Sequence, residues 1–147
     1  MTPPVLLLVE DCPDDQELMR LALKDGAFPL EVVMLSDGRE ALDRLRFIMH
    51  SKGSEETPHP ALILLDLKLP GLSGLDFIRE LRREPLGRLI PVVVLTTSGI
   101  PADIEAAYES GANAFVQKPM EYGALVRLVE ALRTFWIDFN VLHPRLR

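Results

Sequence analysis

The sequence predicts an α/β chain in which five parallel strands form one sheet with helices on both faces. Three observations carry that expectation. Short apolar runs recur without the polar–apolar alternation of a strand that has one wet face, as expected of strands covered on both sides. Segments of helical periodicity separate those runs. Residues able to do chemistry follow the runs, where ligands sit in open parallel sheets, outside the carboxyl ends of the strands.

The first strand is Val5-Leu6-Leu7-Leu8-Val9. Pro13 suits the first position of the helix after it, where Leu18, Leu21 and Ala22 recur at helical spacing until Gly26 closes the segment. Leu30-Glu31-Val32-Val33-Met34-Leu35 fits a strand nearer an edge, with Glu31 left wet. A second helix from about Gly38 places Ala41, Leu42, Leu45 and Ile48 on one face. The polar stretch from His50 to Pro60 predicts a solvated loop before the third strand, Ala61-Leu62-Ile63-Leu64-Leu65. Leu75, Ile78 and Leu81 mark a third helix between the Pro70-Gly71 turn and Pro85. The fourth strand, Val92-Val93-Val94-Leu95, precedes a helix from about Pro101 to Ser110 with Ile104, Ala107 and Tyr108, stopped by Gly111. Ala114-Phe115-Val116 is the fifth strand. The last helix begins near Met120 and carries Leu125, Leu128, Val129, Leu132 and Phe135.

The chain has 147 residues, about the length of one domain. Its 16 Lys and Arg against 22 Asp and Glu leave a net charge of −6, which opposes broad binding to nucleic acid or anionic membranes. The single cysteine, Cys12, cannot form an internal disulfide. Met1-Thr2-Pro3-Pro4 lacks the basic start of a signal peptide, and no apolar run approaches the roughly 18 residues of a membrane span. A soluble, cytoplasmic protein is expected.

Glu10 and Asp11 follow the first strand, Asp66 the third, Thr96 and Thr97 the fourth, and Lys118-Pro119 the fifth. Carboxylates crowded on one rim repel unless a cation sits among them, and an oxygen-only donor set suits Mg²⁺. With a metal on one side and the Lys118 ammonium on the other, Asp66 becomes a nucleophile aimed at an incoming phosphoryl group.

At these residues, and over about positions 4–135, the sequence resembles the receiver domains of two-component response regulators. The order Glu10-Asp11, Asp66 with Pro70-Gly71 behind it, Thr96, then Lys118-Pro119 carries the resemblance. It implies a flavodoxin-like, doubly wound (βα)5 fold with strand order 2-1-3-4-5. It also implies that Asp66 is the phosphoacceptor, and that Asp11, Asp66 and the backbone carbonyl of Lys68 ligate Mg²⁺ while Glu10 acts on the metal through water. Thr96 would hydrogen-bond the phosphoryl group, Lys118 would pair with it, and Phe115 stands at the family's switch-aromatic position. The family holds the bond before the proline, here 118–119, in the cis form. The polar loop before the third strand, Leu95-Thr96-Thr97-Ser98 and the Phe135-Trp136 end of the last helix also resemble single-domain regulators partnered with bacterial phytochrome kinases. A sensor histidine kinase is then the expected partner. The chain divides into a receiver (1–135) and a C-terminal extension (136–147), with no output domain expected.

Other roles are open to these residues. Glu10 and Asp11 can cap the first helix, Thr97 can substitute for Thr96, and Phe115 can be core as much as switch. Cys12 reads as a passive helix-start residue, and His50, His59 and His143 are too dispersed for a zinc site. Lys68 places a cation beside the phosphoryl group, and Gln117 stands where an apolar strand residue is usual. A Mg²⁺-dependent phosphatase of the haloacid-dehalogenase type would need a second acid where Lys68 stands, together with a cap domain. A non-phosphorylated pseudo-receiver would not need the full acid set. The expectation is therefore a phosphoacceptor, capable at most of its own dephosphorylation, rather than an enzyme.

The last helix can bury only one stripe, which leaves Trp136, Ile137, Phe139, Val141 and Leu142 without an obvious internal place. Such a patch predicts a homodimer through the last helix and the tail. In that picture Pro144 stops the helix and Arg145 and Arg147 lie at its edge. The competing expectation is a tail folded back over its own last helix.

Overall fold

Every side chain of β1 (Val5–Val9) is buried, as an apolar run without alternation requires. The computed structural model describes residues 2–24, 29–51 and 58–147. It continues through α1 (Pro13–Lys24), β2 (Glu31–Leu35), α2 (Gly38–His50), β3 (Leu62–Leu65), α3 (Gly74–Arg83), β4 (Val92–Thr96), α4 (Pro101–Ser110), β5 (Ala114–Gln117) and α5 (Tyr122–Arg133). All strand pairs are parallel, in the order β2-β1-β3-β4-β5. This is the flavodoxin-like order, whose switch point lies between β1 and β3.

Residue parity along the strands sorts the core into two layers. Leu7, Val9, Ile63, Leu65, Val92 and Val94 face α2, α3 and α4, where they meet Leu42, Leu45, Phe77, Ile78, Leu81 and Ala107. Leu6, Leu8, Leu62, Leu64, Val93 and Leu95 face α1 and α5, meeting Met19, Leu23, Leu125, Val129 and Leu132. Among the described residues no helix is long and apolar enough to cross a membrane.

Several expected side chains settle differently. Met19, Ala22 and Leu23 form the buried stripe of α1, whereas Leu21 is exposed; the core-facing stripe is rotated by one residue. The expected stop at Gly26 and most of the polar loop (52–57) lie outside the described residues. On α2, Met49 is buried and Ile48 only half-buried. Ala107 is the one buried residue of α4, and the ring of Tyr108 is exposed. Its hydroxyl accepts the N–H of Phe115, 3.2 Å away on β5. That strand is an edge, half-buried rather than covered on both faces.

The tail also departs from expectation. A π-helical turn (Thr134–Phe139) extends α5, and Asn140 takes up extended backbone, its N–H donating to the Phe135 carbonyl at 2.7 Å. The helix thus ends before Pro144, which instead opens a 3-10 turn (Pro144–Leu146). Trp136, Ile137, Leu142 and Arg147 lie beside Pro4 and Ala61, at the amino ends of β1 and β3. Trp136 and Ile137 pack against the α1–α5 layer, and Leu142 and Leu146 against the other. The tail therefore passes beneath the sheet and leaves three of the five supposedly homeless side chains half-buried against the core. Phe139 and Val141 stay outside, each 73% exposed, and Phe135 is 55% exposed.

Candidate functional site

β1 and β3 run in register, with Val9 opposite Leu65, so the residues after them leave the sheet side by side. The Asp66 N–H donates to the Val9 carbonyl at 3.1 Å, and the Glu10 N–H donates to the Leu35 carbonyl at 3.0 Å. Both strand ends are fixed by these bonds. Gly74 lets α3 begin against the backbone of Asp66, since a Cβ there would collide with the Asp66 carbonyl.

Carboxylate oxygens of Glu10, Asp11 and Asp66 meet within 4.8 Å of one another. Glu10 is buried, Asp66 half-buried and Asp11 exposed. Burial pushes the Glu10 carboxyl above its ordinary value and the Asp66 charge adds to this; the Lys118 ammonium and the Cys12 N–H oppose it. Three like charges at this spacing, with oxygen donors only, fit a hard divalent cation such as Mg²⁺, which takes few protein ligands and keeps several waters. Lys68 is exposed, and its N–H points to Asp66 Oδ1 at 3.4 Å.

The side chain of Lys118 is 7% exposed, and its ammonium lies 3.0 Å from Glu10 Oε2 and 3.1 Å from Asp15 Oδ2. Burial alone would lower its pKa, but the two carboxylates outweigh it and hold the ammonium above its ordinary value. Asp15 escapes sequence reasoning. An acid in the first turn of a helix reads as dipole compensation, and nothing local encodes a partner 103 positions away. The expected cis bond at 118–119 is corrected: no cis peptide is present among the described residues. Lys118 instead enters the site from a strand end fixed by its own N–H, 2.6 Å from the Thr96 carbonyl.

Thr96 is buried and its hydroxyl accepts the Ser98 N–H at 3.4 Å, whereas Thr97 is exposed. Gln117 reaches back over this loop, its amide 3.3 Å from the Thr97 carbonyl. A polar residue at an otherwise apolar strand position thus has a partner. The Ser98 hydroxyl donates to Asp103 in the first turn of α4 at 2.6 Å. Phe115 is half-buried against the α2–α3–α4 layer. Cys12 gives its backbone N–H to Glu10 Oε1 at 3.1 Å. The histidines stay apart: His50 meets Glu84, His143 caps the final 3-10 turn, and His59 precedes β3.

A doubly wound sheet of this order, with an acidic triad at its switch point and a lysine beside it, defines the receiver class. The chain belongs to the response regulator receiver domain family, whose model matches residues 6–130. It is 37% identical over 136 residues to the response regulator Rcp1 of Synechocystis sp., covering 92% of this chain and 90% of that protein. The Mn²⁺-bound crystal structure of Rcp1 superposes with a TM-score of 0.81 at 35% identity, over 96% of this chain and 99% of that one. The phosphorylated cyanobacterial phytochrome response regulator RcpA gives 0.85 at 34% identity, over 96% and 99%.

Proposed function

We propose that this chain is a phosphoryl-accepting response regulator, in which a histidine kinase donates its phosphoryl group to Asp66 with Mg²⁺ bound at the acidic cluster. The observation that supports this best is the meeting of the Glu10, Asp11 and Asp66 carboxylates within 4.8 Å, with the Lys118 ammonium 3.0 Å from Glu10. A carboxylate oxygen of Asp66 attacks phosphorus; the O–P bond forms as the P–N bond of the kinase phosphohistidine breaks, and its electron pair leaves on the imidazole. Asp11, Asp66 and the Lys68 carbonyl would hold the ion, and Glu10 would act on it through water. Bound Mg²⁺ supplies positive charge that offsets the phosphoryl oxygens and the carboxylates. Thr96 then hydrogen-bonds a phosphoryl oxygen, Lys118 pairs with another, and Phe115 turns inward.

The output is a shift of the α4–β5–α5 face between two preexisting states. α4 suits that role, because it has no side-chain N-cap and buries only Ala107. In this proposal the protein is a cytoplasmic phosphoacceptor, with self-dephosphorylation as its one hydrolytic step, and it binds neither nucleic acid nor membranes. It comprises a receiver (1–135) and a C-terminal extension (136–147). Similarity to the phytochrome response regulator RcpA supports a phytochrome kinase as donor. A second copy of the chain covers the exposed Phe135, Phe139 and Val141.

Incubation with acetyl phosphate, with and without Mg²⁺, tests the central step by intact mass spectrometry. Gain of one phosphoryl group only with Mg²⁺ is expected. No gain under either condition overturns the proposal in favour of a pseudo-receiver.

A further inference from the structure

We propose that Asp15 is a positioning residue that holds the Lys118 ammonium away from Asp66 until a phosphoryl group arrives, so that release of this ion pair is one step of the switch. The proposal rests on Asp66 being the phosphoacceptor, and it concerns a residue outside the acidic triad.

Among the described residues, the ion pairs of Lys118 run to Glu10 at 3.0 Å and Asp15 at 3.1 Å, and none runs to Asp66. Glu10 has a second engagement, accepting the Cys12 N–H on its other oxygen at 3.1 Å, and it belongs to the triad. Asp15 is not one of the three clustered acids, and its carboxylate is turned to Lys118. From the first turn of α1 its carboxylate is placed to hold an ammonium.

The two ends of this contact differ in solvation. The Lys118 side chain is 7% exposed and the Asp15 side chain 33%. A buried ammonium needs anionic partners wherever it sits, so it transfers between partners rather than into water. A phosphoryl group on Asp66 brings close to two negative charges and three acceptor oxygens. It competes with Asp15 for the same cation, and movement of the ammonium toward Asp66 lengthens the Asp15 contact. Because Asp15 stabilises the ligand-free arrangement over the phosphorylated one, it sets part of the differential affinity that any phosphoryl ligand must supply. Replacing it by an uncharged isostere lowers that requirement without touching the triad.

Beryllofluoride with Mg²⁺, as a phosphoryl mimic on the whole chain, tests this through the amide shifts of Thr96 and Lys118 during titration. Asp15→Asn is expected to bind beryllofluoride about fivefold more tightly, the equivalent of an ion pair worth about 1 kcal/mol. Asp14→Asn makes the same charge change one residue away, at an exposed position in the same helical turn. It is expected to change affinity less than twofold, which separates loss of the Lys118 contact from a general change of field. Asp15→Glu keeps the ammonium's partner and is expected to stay within twofold of the unaltered chain. An unchanged or weaker affinity in Asp15→Asn overturns the proposal, as does an equal gain in Asp14→Asn. Failure of the unaltered chain to bind beryllofluoride overturns the assignment of Asp66 and this proposal with it. Binding that is indifferent to Asp15 overturns this proposal alone.

Discussion

Trp136 and Leu146 belong to one short tail yet pack into opposite layers of the molecule, Trp136 against the α1–α5 core and Leu146 into the α2–α3–α4 core. The tail ties the two layers together beneath the sheet. Leu146 is 4% exposed, so Leu146→Ala should cost about 2 kcal/mol or more by removing buried methyl groups. Urea unfolding of the two proteins reads this directly; a loss below about 0.5 kcal/mol, typical of surface changes, would show that the tail contributes no core.

Phe139 and Val141 face outward and serve the proposed self-association without serving the fold. Phe139→Ser combined with Val141→Ser should convert a dimer to a monomer in sedimentation velocity while leaving the urea midpoint nearly unchanged. A full-length protein already monomeric at high micromolar concentration removes the dimer. Truncation after Thr134 is the poorer test, since it also strips Trp136, Ile137, Leu142 and Leu146 from the core.

Much of this architecture is readable in the residues themselves. Val5–Val9 and Pro101–Ser110 fall where their apolar run and their Pro and Gly boundaries place them. Asp66 and Thr96 stand at strand ends, which local pattern fixes. Leu21 and Tyr108 mislead because periodicity gives a helix face but not its rotation against the sheet, and both side chains are exposed. Asp15 and Leu146 depend on contacts between distant segments, which no spacing rule carries. The tail misleads for the same reason: an apolar segment beyond the last helix looks unpartnered until the amino ends of β1 and β3 are seen to receive it.

Asp66→Asn keeps the shape of the side chain but removes the nucleophile. It should abolish phosphoryl uptake from acetyl phosphate with the circular dichroism spectrum unchanged. Uptake on another aspartate at the original rate, located by peptide mass spectrometry, would contradict the assignment.

Asp11→Ala should weaken Mg²⁺ binding more than Glu10→Ala. A carboxylate in direct coordination contributes a full ligand, whereas one acting through water only orients it. The structure adds a second reason, because Glu10 is already engaged by Lys118 and the Cys12 N–H. Calorimetric titration with Mg²⁺ ranks the two, and a larger loss at Glu10 reverses their roles.

Burial lowers the pKa of His59 from its ordinary 6.5, and no hydrogen-bond partner reaches its Nε2 among the described residues. As pH falls through 6.5 the unfolded chain takes up a proton that the folded one resists. Stability present above that pH is therefore lost on acidification, down to the depressed folded value. His59→Leu should shrink the drop in urea midpoint between about pH 7.5 and 5.5, leaving the background from the carboxylates. An undiminished drop would place the acid sensitivity elsewhere.

The Tyr108 hydroxyl on the Phe115 N–H has a consequence for the protein among its neighbours in a crowded cell. β5 is the last strand of the sheet, and an outer strand with open amides is a template on which foreign strands add. Here a phenol from α4 closes one of those amides with a single hydrogen bond, which an added strand would have to displace. A ring without the hydroxyl would keep the helix intact and reopen the rim to aggregation.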